Sequence, residues 1–159
     1  MFNKTPTDIY VVNNVDQKFI TSCDELIKIG QGKQVLELIE AIPVKSIPRK
    51  YLSQVGTLLN RSGGSYHCLK VLHSYIRGSY FDLGTDEEKK VYAKALIEIG
   101  AQNEGLELIN EIQIENDPSL LLTKSFCYFK SWDYESALPL MLKYTNIIDN
   151  DYMKLVGKI

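Results

Sequence analysis

The sequence predicts an all-α protein built from repeated helix pairs, and three observations carry that expectation. Turn residues recur at intervals, apolar residues between them fall at helical spacing, and helix start and stop signals sit where that period needs them. The tight turns are Gly30-Gln31-Gly32, Ser62-Gly63-Gly64-Ser65, Gly100-Ala101-Gln102 and Ser131-Trp132-Asp133. Longer breaks alternate with them at Pro43 to Pro48, Gly78 to Thr85, Asn116-Asp117-Pro118 and Asp149-Asn150. The chain therefore reads as short helix, tight turn, short helix, longer break, four times over.

Each element has its own local warrant. Val91, Ala95, Leu96 and Ile99 share one helix face, and Leu106, Ile109 and Ile112 do the same after the third turn. Thr85 to Glu88 has the spacing of a capping box, in which a hydroxyl and a carboxylate satisfy free amides at a helix start. Asp117-Pro118 places a capping acid before a proline whose missing N–H is harmless in a first turn. Glycines after Ile29 and Ile99 suit a left-handed helix exit. Strand signals are weak everywhere but Ile9-Tyr10-Val11-Val12, within an N-terminal arm of residues 1–15 that is expected to cap the first pair.

Composition narrows the class of function. Of 159 residues, 45% are hydrophobic, which is enough for a packed core, and 18 basic against 20 acidic side chains give no basic excess for nucleic acid. No apolar run is long enough to span a bilayer, and the first 14 residues lack the apolar core of a signal peptide, so neither a membrane nor export by that route is expected. Three cysteines, Cys23, Cys68 and Cys127, are widely spaced without a CxxC, which points to a reducing cytoplasm.

Aligning the turns produces columns. Cys23, Gly56, Ala93 and Ser125 are all small, and three residues later stand Leu26, Leu59, Leu96 and Tyr128. The second helices align Val35, Cys68, Gly105 and Ala137, then Ile39, Leu72, Ile109 and Met141. Small residues let two helices approach closely, and large ones a turn away fill the space beside them. One such pair cannot bury its apolar face alone, so neighbours are expected to stack.

With these columns, and above all with Leu121, Ser125, Tyr128, the turn at Trp132-Asp133, Tyr134, Ala137 and Met141, the chain resembles the tetratricopeptide repeat family. Trp132 in place of the turn glycine and Lys89 in an apolar column are departures. The resemblance covers residues 16–149 and implies a right-handed α-solenoid of about four antiparallel helix pairs (16–48, 49–85, 86–117 and 118–149). Residues 150–159 then form a terminal element: a capping helix over Phe126 and Phe129, or the start of a fifth repeat with Met153 and Gly157 in its columns. The repeat phase favours a piece of a longer protein.

The family's function is to hold a protein or peptide segment in a concave groove lined by the first helix of each pair. Carried over, that groove takes Gln17, Ile20, Asp24, Ile27 and Lys28 from the first pair, and Lys50, Ser53, Thr57, Asn60 and Arg61 from the second. The third supplies Glu87, Lys90, Lys94, Ile97 and Glu98, and the fourth Ser119, Leu122, Phe126, Phe129 and Lys130. Lys90 and Lys94, with Arg61 and Lys130, would form an anion-recognising strip, and Leu122, Phe126 and Phe129 an apolar patch. A partner with an acidic segment and apolar anchors follows, as does self-association through the C-terminal end. The family's clamp for chaperone tails places a lysine and an asparagine where Ile20 and Asp24 stand, and an acid there repels a carboxylate.

Catalytic and cofactor signals are scarce. His67 and His73 are six apart on one predicted helix and so face different ways, no HExxH occurs, and the turn at Gly63-Gly64 lacks the spacing of a phosphate loop. Cys23 and Cys68 fall in packing columns, while Cys127 is expected to be partly exposed. Asp86, Glu87 and Glu88 read as first-turn charges favouring the helix dipole. No enzyme, metal or cofactor site is expected. Three other readings stay open: the non-catalytic N-terminal region of a larger enzyme such as a transferase, a small cytoplasmic chaperone for secreted proteins, and an RNA-binding helical repeat, disfavoured by the acidic charge.

Overall fold

The computed structural model describes residues 14–112 and 117–156, with side chains up to Asp151. The Ile9 to Val12 arm, Asn116 and the column position Gly157 lie outside these residues, and Met153 is described only as part of a helix. Among the described residues eight α-helices follow one another: α1 (Gln17–Lys28), α2 (Gly32–Glu40), α3 (Leu52–Arg61), α4 (Ser65–Ile76), α5 (Asp86–Glu98), α6 (Gln102–Asn110), α7 (Pro118–Lys130) and α8 (Tyr134–Val156). No strand occurs among the described residues. Two of the longer breaks contain 3-10 turns, at Val44–Ser46 and Phe81–Leu83, and a third, Arg49–Tyr51, leads into α3.

The chain divides into two compact units, residues 1–95 and 96–159, with the boundary inside α5. In the first unit α1 packs on α2 and α3, α2 packs on α3, and α3 packs on α4. In the second, α6 packs on α7 and α7 on α8.

The four tight turns share one hydrogen-bond pattern. The carbonyls of Leu26, Leu59, Leu96 and Tyr128 accept from the amides five residues on, those of Gln31, Gly64, Ala101 and Asp133, at 2.8, 2.7, 2.8 and 2.9 Å. That bond closes a helix around one left-handed residue and satisfies a carbonyl the helix leaves free. The left-handed residues are Gly30, Gly63 and Gly100 at φ 84°, 80° and 92°, and then Trp132 at φ 63°. The large-residue column of the sequence is thus also a column of hydrogen-bond acceptors.

The small-residue columns are buried throughout. Cys23, Gly56, Ala93 and Ser125 are covered in the first helices, and Val35, Cys68, Gly105 and Ala137 in the second. Gly56 has no room for a side chain: a Cβ there would stand 2.8 Å from Val91 Cγ1 and 3.1 Å from Leu72 Cδ1. Leu59, Leu72, Ile39 and Ile109 fill the core beside these positions.

Helix starts follow the sequence signals. Thr85 Oγ1 accepts from the Glu88 amide at 3.2 Å, and the Glu88 carboxylate accepts from the Thr85 amide at 3.2 Å and its hydroxyl at 2.7 Å. Asp117 accepts from the amides of Ser119 and Leu120 at 2.9 and 3.3 Å, with Pro118 in the first turn of α7. One boundary differs from expectation. The break at Asp149-Asn150 is absent: α8 runs 23 residues without interruption through both. Asp and Asn disfavour a helix interior by only a fraction of a kcal/mol, roughly 0.7 at most, which the surrounding turns of a long helix override.

Candidate functional site

The candidate site is an apolar cleft between α7 and α8, in the second unit. It encloses about 370 Å³ and is lined by Ser125, Phe126 and Phe129 from α7 and by Tyr134, Ala137, Leu138 and Met141 from α8. Local chemistry sets up both walls. Asp117 fixes the start of α7, and Asp133, accepting from the Ser136 amide at 3.1 Å, fixes that of α8. At the cleft floor the Ser125 hydroxyl donates to the Ala137 carbonyl at 3.3 Å, so the two small residues bring the helices together without leaving a buried hydroxyl unpaired.

Small floor residues leave the large ones at the rim uncovered. Phe126 is 48% exposed, Phe129 57%, Tyr134 51% and Leu138 60%. The rings form a run of edge contacts: Phe126 to Phe129 at 6.5 Å between centroids, Phe129 to Tyr134 at 5.5 Å, and Tyr134 to Trp132 at 6.3 Å. Edge-to-face pairs of this kind are a preferred arrangement of aromatic rings. Trp132 and Tyr134, turn and repeat-column residues by their position in the sequence, belong to this surface. Their signal in the sequence was a tryptophan where the period asks for glycine.

The remaining expected groove residues divide between the two units. Phe126 and Phe129 meet each other, while Leu122 is half-buried and Lys130 exposed in the last turn of α7. Ile97 is a correction: it is buried, as is Ile20, so neither faces a groove. A helix that buries more than one stripe covers apolar positions that a single-face reading leaves outside.

In the first unit, Thr57 is exposed and its hydroxyl bonds back to the Ser53 carbonyl at 3.0 Å. Asn60 is half-buried and donates to the Val91 carbonyl at 3.0 Å, tying α3 to α5. Arg61 pairs with Asp24, which also accepts Lys28 at 2.7 Å. Those bonds, Arg61 first and then Lys28, hold the Asp24 carboxyl below its ordinary value. The Lys90 ammonium, largely covered, pairs with Glu87 at 2.9 Å, while Lys94 is exposed. Arg61 and Lys90 are therefore engaged with acids of this chain, which weakens the expected anion-recognising strip.

A second cluster joins residues far apart in the sequence. Glu88, 2% exposed, serves the cap of α5 and also receives Arg49, whose guanidinium lies 3.8 Å from the Tyr75 ring centroid and donates to the Leu83 carbonyl at 2.7 Å. Tyr75 in turn stacks on Tyr80 at 5.7 Å. Arg49 thus ties the 77–85 loop to the start of α5. Every group there has a partner within the first unit, so the cluster is structural.

Reactive side chains are closed off. Cys127 is a further correction, 1% exposed instead of partly exposed, because it faces the core one residue from the Tyr128 column. Burial pushes the thiols of Cys23 and Cys127 up to about 11 and that of Cys68 to about 12, so none is a thiolate near neutrality. No group of three or more potential metal-ligating side chains comes together among the described residues, and no helix among them is long and apolar enough to cross a membrane. No family model, curated protein or solved structure matches the chain.

Proposed function

We propose that this chain is a protein- or peptide-binding module, a tetratricopeptide-type right-handed α-solenoid whose working surface is the α7–α8 cleft. The observation that carries this reading is the exposed run of Phe126, Phe129, Tyr134 and Leu138 around that cleft. Clustered, half-exposed aromatic side chains on two rigid helices are the composition of an interface centre, since they offer large contact area at small entropic cost. The solenoid part is supported by the turn hydrogen bonds repeated four times and by α1 packing on both α2 and α3, as stacked pairs require. The reading carries with it a reducing, cytoplasmic setting, for which the unpaired buried thiols speak.

The partner is a segment with apolar anchors that enter between the two helices, in the manner of a helix laid in a groove. The test uses peptides selected by display on the intact protein. Their affinity is then measured against Phe126→Ala/Phe129→Ala, with far-UV circular dichroism to show that the variant folds. At least tenfold weaker binding is expected. Equal affinity would remove the cleft from the proposed function.

A further inference from the structure

We propose that the α7–α8 face is where a second copy of this chain docks, forming a two-fold symmetric dimer. This rests on reading the cleft as a binding surface and names its occupant. Eight large apolar side chains, from Phe126 to Ile148, are exposed on these two helices and their turn. With about 200 Å² for a whole side chain of this size, they leave on the order of 800 Å² in water. A typical monomer's largest apolar patch is about 300–600 Å², whereas a stable complex buries about 800 Å² on each partner. The face is therefore too large for a monomer and the right size for one half of a dimer.

The pattern along α8 fits another helix. Leu138, Met141, Thr145 and Ile148 are spaced three, four and three apart, the a and d positions of a helix-packing seam, and all four are exposed. Thr145 does not spoil the seam: its hydroxyl donates to the Met141 carbonyl at 2.6 Å, so burial strands no polar group. With 23 residues against 13, α8 is also about 15 Å longer than α7, and Leu142 and Ile148 lie exposed on it.

Charge favours a copy of the same chain. Lys130 on α7 and Glu135 and Asp149 on α8, all exposed, stand beside this face in helical register. Both signs beside one apolar face let a two-fold mate set opposite charges together, where a single-sign rim would repel it. Trp132 points the same way. It occupies a left-handed turn that glycine holds in the three other turns, a conformation unfavourable to a bulky residue, and it is 79% exposed. Backbone strain kept at a residue that contributes little to its own core is the mark of an interface anchor.

The test is sedimentation equilibrium of the intact chain over a wide concentration range, beside Leu138→Lys/Leu142→Lys and Trp132→Gly, each checked by circular dichroism. The wild type is expected at twice the chain mass. The double lysine variant is expected as a monomer, and Trp132→Gly with at least tenfold weaker self-association. A monomeric wild type at every concentration, or a dimer untouched in both folded variants, overturns the proposal. The peptide measurement separates the two ideas: a monomer whose selected peptides still depend on Phe126 and Phe129 keeps the cleft as a binding site and loses only the second copy as its occupant.

Discussion

The pairs α3–α4 and α7–α8 carry the same sequence columns and the same turn hydrogen bond, yet they end in different states of burial. In α3–α4 the large column residues Leu59 and Leu72 are wholly buried, and Gly56 leaves no room for a Cβ. In α7–α8 the corresponding Tyr128 is half-buried and Met141 is 37% exposed. Among the described residues α3 packs on α1, α2 and α4 and is tied to α5 through Asn60 and Val91, and α7 packs on α6 and α8. The repeat specifies the shape of each pair, and the surroundings decide whether its apolar residues become core or surface.

The largest effect that can break this comparison comes from truncating one column at both pairs. Leu72→Ala removes a fully buried side chain and opens a cavity, an expected loss of about 2–5 kcal/mol. Met141→Ala removes a partly exposed one and is expected to lose less than about 1 kcal/mol. Urea unfolding of both variants, at concentrations where the chain is monomeric, measures the difference. Similar losses would mean that the Met141 column is covered in solution.

A smaller effect is expected at the charged cluster of the first unit. Arg49→Ala removes the charged partner of the buried Glu88 carboxylate while Thr85 stays in place, and also releases Leu83 and Tyr75. A buried acceptor that loses a charged partner costs about 2–3 kcal/mol. Amide hydrogen exchange should show faster opening confined to residues 77–90, and unchanged protection there would show that the loop is held by its other contacts.

These two sites also separate what the sequence discloses from what it does not. The columns, the Thr85–Glu88 and Asp117–Pro118 caps and the turn glycines are local patterns, written in spacings of three to five residues, and they are legible for that reason. The link from Arg49 to Glu88 spans 39 residues with no local mark on the arginine. Burial of Ile97 and Cys127 depends on neighbours that spacing does not name. The continuity of α8 was hidden because Asp149-Asn150 looks like punctuation when propensity is read without the length of helix around it. The aromatic cleft was half legible: Phe126 and Phe129 stood out by position, while Trp132 and Tyr134 joined them only when the turn was folded.

Trp132 offers an effect of smaller size and opposite sign. Gly30, Gly63 and Gly100 adopt positive φ with nothing within 4 Å of a would-be Cβ, so the difficulty at this turn position lies in the backbone and not in crowding. Replacing Trp132 by glycine relieves that strain, partly offset by the greater freedom of glycine in the unfolded chain. A net stabilisation of about 1 kcal/mol or less is expected for the monomer, seen as a rise in Tm of about 2–4 °C. A fall in Tm would show that the Tyr134 contact outweighs the strain.

The smallest effect concerns the acid at the expected anion strip. Asp24 is held below its ordinary value of 3.8 by Arg61 and then by Lys28. A carboxyl with a depressed folded pKa contributes stability above the unfolded value, and that contribution is lost as pH falls through the folded one. Because the group is open to solvent on one side, water and salt screen most of it, and little change in overall stability is expected. The measurable signature is site-specific. A carbon-detected NMR titration should place the Asp24 midpoint below 3.8, and Arg61→Gln should move it upward more than Lys28→Gln does. If neither substitution moves it, Arg61 is not committed to Asp24 in solution and is open to an anionic partner. The contrast between a first unit whose Arg61 and Lys90 are engaged internally and a second whose aromatic residues face water would then lose its electrostatic half.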